Sequence, residues 1–240
     1  MANYQVRLKK KGDVAEGTMA FYFEKPAGFQ FKPGQYANLT LLNPSETDAE
    51  GNVRTFSIAS APAEEDLMFA TRMRDTAFKR VLKTMPPGIE IALSGPFGSF
   101  TLHSDSSRLG VLIAGGIGIT PFRSIVFQAA RSRLPHRLLL FYSNRRPEDA
   151  AFLRELEGLE KENTRYKFIG TMTQMEKSKQ QWAGKTGFLN KQMLSQSLDG
   201  LKDAIYYSAG PPAMVSAMGK ALTELGVGDD DIRTEEFAGY

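Results

Sequence analysis

The sequence predicts two consecutive domains of different class, an N-terminal antiparallel β-barrel followed by a doubly wound parallel sheet. Three observations carry that expectation. The first hundred of the 240 residues hold short alternating apolar runs separated by Pro/Gly turns, the pattern of a small barrel. After His103 the rhythm changes to apolar strand runs alternating with helical patterns, as in βα units on a parallel sheet. Between the two lies a polar, serine-rich stretch over 101–108, so the domains are expected at 1–103 and 108–240.

The elements follow in order. Residues 4–8 open the barrel, Met19, Phe21 and Phe23 alternate with smaller or polar residues, and the turn Lys32-Pro33-Gly34-Gln35 leads into a strand over 36–42. Residues 43–52 read as a polar loop, Arg54-Thr55-Phe56-Ser57 as a strand closed by Ala61-Pro62, and Pro86-Pro87-Gly88 as another turn. Thr76 can cap a helix whose apolar stripe is Phe78, Val81 and Leu82, which offers an anion site at its first turn. In the second half, strands are expected over 110–114, 138–142, 166–170 and 204–208, and helices over 121–131, 148–161, 191–197 and 212–225. Ligands of such a sheet sit at the carboxyl ends of its strands, which selects 115–121, 143–147, 171–173 and 209–212.

Composition removes several chemistries. With no cysteine, these residues offer no disulfide, thiol nucleophile, Cys-ligated zinc or iron–sulfur cluster, so redox chemistry here needs an organic cofactor. His103 and His136 have no metal-like spacing and read as structural, and no metal site is expected. The net charge of +3 is modest, and its basic and acidic runs read as solvated faces rather than a nucleic-acid surface. Residues 1–13 lack the apolar core of a signal peptide, and the longest apolar stretch, 109–122, is interrupted by glycines and Pro121. A cytoplasmic protein with no membrane insertion is therefore expected.

Two segments carry the candidate chemistry. Arg54-Thr55-Phe56-Ser57 places a fixed cation, a flat ring and a hydroxyl within four residues of a strand, a set able to hold a phosphate and a planar heterocycle. Ala114-Gly115-Gly116-Ile117-Gly118-Ile119-Thr120-Pro121 runs from an apolar strand through glycines into a helix, a seat for a pyrophosphate. Together they suggest a flavin site followed by a nicotinamide site.

Six elements in order, Pro33-Gly34-Gln35-Tyr36, Arg54-Thr55-Phe56-Ser57, Gly95-Pro96-Phe97-Gly98, the 115–121 loop, Gly210-Pro211-Pro212 and the terminal Glu235-Glu236-Phe237-Ala238-Gly239-Tyr240, resemble the ferredoxin–NADP(H) reductase-like flavoproteins in their compact bacterial form without an iron–sulfur domain. The resemblance implies that the Arg54–Thr55–Phe56–Ser57 strand binds the flavin, Arg54 through its phosphate, Phe56 against the isoalloxazine and Ser57 near the reactive nitrogen. It implies Thr71, Arg72 and Met73 along the ribityl and phosphate chain, and Thr76 with Ala77 at the pyrophosphate, favouring FAD over FMN. Gly115, Gly116, Gly118, Thr120 and Pro121 would contact the nicotinamide dinucleotide, with Gly210, Pro211 and Met214 lining the same crevice and Asn144 and Arg145 at the adenosine end. Arg145 suits a 2′-phosphate, whereas Glu148 and Asp149 could hold a free 2′-hydroxyl, so NADH and NADPH both stay open. Ser57 and a carboxylate, Glu235 or Glu236, would shape the polar side of the site, and Phe237 or Tyr240 would cover the flavin.

Two positions depart from the family pattern: Phe56 replaces a common Tyr, and Ala209 stands where many members carry Cys. The implied activity is hydride transfer from NAD(P)H to FAD and electron delivery to a separate acceptor such as ferredoxin, flavodoxin, an acidic carrier protein or an oxygenase component. Two rivals are a non-catalytic flavin- and nucleotide-binding subunit of a larger redox assembly, and a diffusible NAD(P)H:flavin reductase.

Overall fold

A computed structural model describes residues 3–198 and 203–237. The first half is a six-stranded antiparallel sheet made of β1 (Asn3–Ala15), β2 (Thr18–Glu24), β3 (Tyr36–Leu41), β4 (Val53–Ser57), β5 (Asp66–Arg72) and β6 (Glu90–Phe97), in the order β4-β3-β6-β1-β2-β5. Just beyond β4, the Ala59 N–H donates to the Met68 carbonyl at 2.8 Å, tying the two ends of the sheet together. Helix α1 (Ala77–Thr84) buries Ala77, Phe78 and Leu82 against this barrel, and Thr76 caps it as expected by accepting from the Lys79 N–H.

Three strands of this sheet depart from the sequence reading, which gave no strand over 90–97 where β6 lies. β5 is buried on both faces, so its Leu67 to Ala70 run shows no alternation to read. β1 runs far beyond the expected 4–8, through Lys9, Lys10 and Lys11, because its polar residues face outward and find partners: Lys9 pairs with Asp66, and Lys10 lies 4.5 Å from the Tyr22 ring centroid.

The second half is a parallel sheet of β7 (Leu109–Gly115), β8 (Leu138–Asn144), β9 (Tyr166–Met172), β10 (Lys185–Thr186), β11 (Ala204–Gly210) and β12 (Ile232–Glu236), in the order β10-β9-β8-β7-β11-β12. Helices α2 (Ile119–Arg131), α3 (Leu153–Glu162), α4 (Lys191–Ser197) and α5 (Pro212–Glu224) accompany it. The helix expected from 148 starts at Leu153 instead: Pro147–Asp149 form a 3₁₀ turn, and Phe152 takes a left-handed φ of +62° that interrupts the helical path. The strand order reverses between β7 and β11, so the loops after these two strands, 115–121 and 210–212, flank the switch point where ligands of such sheets bind.

His103 and His136 are structural, as expected. The Tyr207 hydroxyl accepts from the His103 backbone N–H at 2.8 Å and meets its ring Nδ1 at 3.0 Å, while His136 Nε2 lies 2.9 Å from the His103 carbonyl. Burial pulls the His103 pKa down.

Candidate functional site

A cleft of about 300 Å³ opens between the halves, where β4 and β5 face the loop after β7. That volume lies at the lower end for ligand sites. An open groove of about 600 Å³ beside α3 and Trp182 is larger but lies along the flank of the sheet, away from the strand ends, so size does not select the site. The smaller cleft is lined by Arg54, Thr55, Phe56 and Ser57 of β4, Thr71 and Arg72 of β5, Arg74, Thr76 and Lys79 at the start of α1, and Ile117, Thr120 and Phe237 from the parallel sheet.

One end of the cleft is cationic. Arg54, Arg72, Arg74 and Lys79 converge there, and Lys79 is pulled below its ordinary pKa by burial and by Arg74 and Arg54. Arg72 Nε is a buried donor with no hydrogen-bond partner. A buried unpaired N–H costs free energy, and an anion in the cleft would satisfy it. Arg54 sits at the rim, its guanidinium folded onto the 48–53 loop: it donates to the Glu50, Gly51 and Val53 carbonyls and pairs with Glu50 at 2.9 Å and Asp48 at 3.2 Å. The other Asp48 oxygen accepts from the Ala77 N–H at 3.0 Å. Burial alone would raise the Asp48 pKa, but the Ala77 and Glu50 N–H groups and Arg54 outweigh it and hold the carboxyl low.

The other end is aromatic. The Phe56 ring packs 5.9 Å from Phe78, whose face lies 5.3 Å from the Arg54 guanidinium. Ser57 and Thr120 are both buried, and Thr120 Oγ1 donates to the Ile117 carbonyl at 3.0 Å. Met73 is turned away from the cleft and packs against the barrel core. Tyr240, expected as a cover, lies outside the described residues.

The glycine loop serves close packing of protein on protein. A Cβ at Gly118 would collide with the Ala209 carbonyl, one at Gly115 with the Met214 sulfur and Pro211, and one at Gly210 would lie 2.9 Å from the Gly115 carbonyl. The loops after β7 and β11 are thus fitted to each other, and Gly116 adds a φ of +52° that favours glycine. α2 begins at Ile119, two residues earlier than expected, with Thr120 and Pro121 buried in its first turn.

At the end of β8, Asn144 is buried with both amide atoms unpartnered, and Arg145 is exposed. The two acids considered for a ribose hydroxyl are committed elsewhere. Glu148 accepts from the Ser178 hydroxyl at 2.9 Å and the Lys179 N–H at 2.7 Å, and Asp149 is gripped by Arg146 at 2.9 Å. Phe188, absent from the sequence-based site, is 76% exposed just past the carboxyl end of β10. A single Phe-Leu pair in a polar stretch reads as an ordinary core contact, so nothing in the sequence distinguished it.

Glu235 follows from strand register. β12 pairs in parallel with β11, Tyr207 beside Arg233 and Ala209 beside Glu235. Arg233 lies over the Tyr207 ring, so Arg233, Glu235 and Phe237 share the face toward the cleft. Glu235 Oε2 is buried without a partner, and burial pushes the carboxyl up to about 7. Glu236 is exposed on the opposite face.

Among the described residues there is no helix long and apolar enough to cross a membrane and no cluster of His, Asp and Glu able to hold a metal. Residues 112–220 match the oxidoreductase NAD-binding domain family. The F subunit of the Na(+)-translocating NADH-quinone reductase of Methylococcus capsulatus is 30% identical over 204 residues, covering 78% of this chain and 49% of that protein. Its Yersinia enterocolitica counterpart is 28% identical, covering 86% and 54%. The chain therefore spans about half the length of the curated relatives it matches. In fold, it is similar to a ferredoxin NADP+ reductase from Neisseria gonorrhoeae with bound FAD and NADP, with a TM-score of 0.82, 20% identity and 98% of each chain covered. The flavohem-like FAD/NAD-binding domain of a Vibrio cholerae nitric oxide dioxygenase aligns with a TM-score of 0.82 at 18% identity, covering 97% of this chain and 98% of that one.

Proposed function

We propose that this chain, an NAD(P)H-dependent flavoprotein reductase of the ferredoxin–NADP(H) reductase-like fold, accepts hydride from a nicotinamide donor onto FAD held in the interdomain cleft and delivers the electrons to a separate acceptor. The observation that carries this reading is the cleft itself, which joins a cationic end with an orphaned Arg72 donor to an aromatic, hydroxyl-bearing end at the switch point of the sheet. The donor set fits a flavin: cations for phosphate, Phe56 and Phe237 for a flat ring, Ser57 and Thr120 for its polar edge. When bound, such a flavin supplies the conversion between two-electron and one-electron transfer.

The residues then take the following roles. Arg72, Arg74, Lys79 and the Thr76 cap hold the phosphate chain, Arg54 joins them from the rim, and Phe56 fixes the ring plane. Thr120 and the loop after β7 seat the nicotinamide, and Phe237 excludes water until the donor arrives. Glu235, its carboxyl raised to about 7 by burial, exchanges a proton in the neutral range beside the polar edge of the site. With Ala209 beside it, no thiol shares that task, and positioning carries the reaction.

At the adenosine end, Asn144 offers an unpartnered amide, Phe188 a stacking face and Arg145 an exposed cation. Because Glu148 and Asp149 are occupied, the free charge there is positive and suits a 2′-phosphate. The quinone reductase relatives carry NADH in their names, so both donors are carried into the test. The acceptor is an acidic carrier protein, an oxygenase component or a quinone-reducing partner, met in the cytoplasm or at a membrane assembly.

Anaerobic visible spectra of the purified protein, before and after NADH or NADPH, test the reading. A flavin band bleached by either donor supports it and identifies the donor. A bound flavin that neither reduces supports the non-catalytic role, and a colourless protein that oxidises NAD(P)H only with added flavin supports a diffusible flavin reductase.

A further inference from the structure

We infer that Arg123 is a positioning residue that sets the register between the flavin-side strand and the nicotinamide-side loop, an inference that rests on the function proposed above. Arg123 lies one turn into α2, three residues past Thr120, and is only 5% exposed. Every guanidinium nitrogen is used. Nη1 donates to the Ala59 carbonyl at 3.0 Å and to Glu64 at 2.9 Å, Nη2 to Glu64 at 3.2 Å and to Glu155 at 2.8 Å, and Nε to Glu155 at 3.2 Å. Its carbon lies 4.3 Å from the Phe127 ring centroid and 5.1 Å from Phe152.

The partners belong to different parts of the reaction geometry. Ala59 is two residues beyond Ser57, so the guanidinium grips the continuation of the flavin strand. Glu155 anchors the same group to α3. The neighbouring Ser124 hydroxyl donates to the Ser60 carbonyl at 2.7 Å, and Gln128 accepts from the Ala63 N–H at 3.0 Å. Side chains at 123, 124 and 128 thus hold residues 59–64 along α2, whose N-terminus leads directly out of the 116–118 turn.

A purely cohesive interface would not need this arrangement. A buried ion pair contributes little net stability, because the cost of removing charges from water offsets their attraction. A planar fork bonded on both edges, however, fixes orientation as an apolar contact cannot. Burial opposes the charged form of both Arg123 and Glu64, yet their mutual bonds reverse both shifts, so both stay ionised. The strained Phe152 backbone holds a ring against the same guanidinium.

Arg123→Lys tests the inference, since it keeps the charge and loses the fork, alongside Ser124→Ala, which removes one hydroxyl. In flavin-loaded Arg123→Lys the flavin content and unreduced spectrum should match wild type and the KM should stay within about twofold. The rate constant of reduction at saturating donor should fall about 10- to 100-fold, the scale of a sub-ångström to 1 Å misplacement. Ser124→Ala should fall about threefold. Independently of activity, amide hydrogen exchange in flavin-free protein should quicken over both 57–60 and 116–120 in Arg123→Lys. Wild-type reduction rates in either variant, a rate loss that only tracks lost flavin, or unchanged exchange in both segments would overturn the inference. A wild-type protein that no donor reduces would overturn the proposed function instead, and the exchange measurement would still decide the role of Arg123.

Discussion

The Asp48 carboxylate bridges the Arg54 guanidinium, 3.2 Å away, and the Ala77 N–H at the start of α1, 3.0 Å away. In the proposed reading both groups serve flavin phosphate, so Asp48 occupies with its own charge a position an incoming phosphate would use. Asp48→Asn should therefore tighten flavin binding several-fold in a fluorescence titration of flavin-free protein, with a steeper loss of affinity as salt rises. Weaker binding would mean that Asp48 serves to orient Arg54.

Arg54→Ala removes the rim cation and frees Asp48 to compete alone for the α1 terminus. Flavin affinity should fall by ~1.5 to 3 kcal/mol, a factor of roughly 10 to 150, with little change in thermal stability. Equilibrium dialysis against FAD reads the loss. FMN as a second titrant shows how much of it belongs to the second phosphate.

Glu235, raised to about 7, gives a pH test of definite sign. Its folded pKa lies above that of the unfolded chain, so its contribution to stability is full below about 4.3 and is lost as pH rises through about 7. Between those limits wild type should lose on the order of 2 to 3 kcal/mol relative to Glu235→Gln. Urea unfolding at pH 5 and pH 8 measures it, and a parallel pH dependence across the pair would remove Glu235 as the source. The rate of flavin reduction should lose its inflection near pH 7 in the same variant.

Phe188→Ala removes an exposed ring past β10, at the proposed adenosine end, and should raise the KM for the preferred donor about 5- to 20-fold while leaving the maximal rate and the melting temperature nearly unchanged. A lowered rate at saturation with unchanged KM would place the ring outside the donor site.

Gly118→Ala should be costly because the new Cβ meets the Ala209 carbonyl, backbone against backbone. A loss of about 1 to 3 kcal/mol in stability is expected, with slower reduction by the donor. This position is a cleaner probe of the loop than Gly116, whose positive φ would add backbone strain to any side chain.

The class of each sheet, their succession along the chain and the capped helix α1 were legible in the sequence, because alternation and turn residues report burial on one face directly, while β6, β10 and β12 were not read as strands. β5 was not, since burial on both faces erases alternation, and the start of α3 was not, since the left-handed Phe152 leaves no compositional trace. The candidate residues divide the same way. Arg54, Phe56, Thr71, Arg72, Thr76, Thr120 and Phe237 converge on one cleft, whereas Met73, one residue past the end of β5, packs against the barrel core. The Arg123 grip depends on partners 32 to 64 residues away, and the Asp48 bridge on Ala77, 29 residues on, as well as on nearby Arg54; no local pattern encodes the distant pairs.

The place of β1 in its sheet has a consequence for how the molecule is made. The first strand lies between β2 and β6, so its second edge stays open on the ribosome until Glu90–Phe97 have emerged. The barrel can then close before the parallel sheet is synthesised, giving vectorial assembly in two cooperative steps. Nascent chains stalled before Glu90–Phe97 have left the exit tunnel should show an exposed strand edge that chaperones bind, and chains stalled far enough on for those residues to emerge should release it.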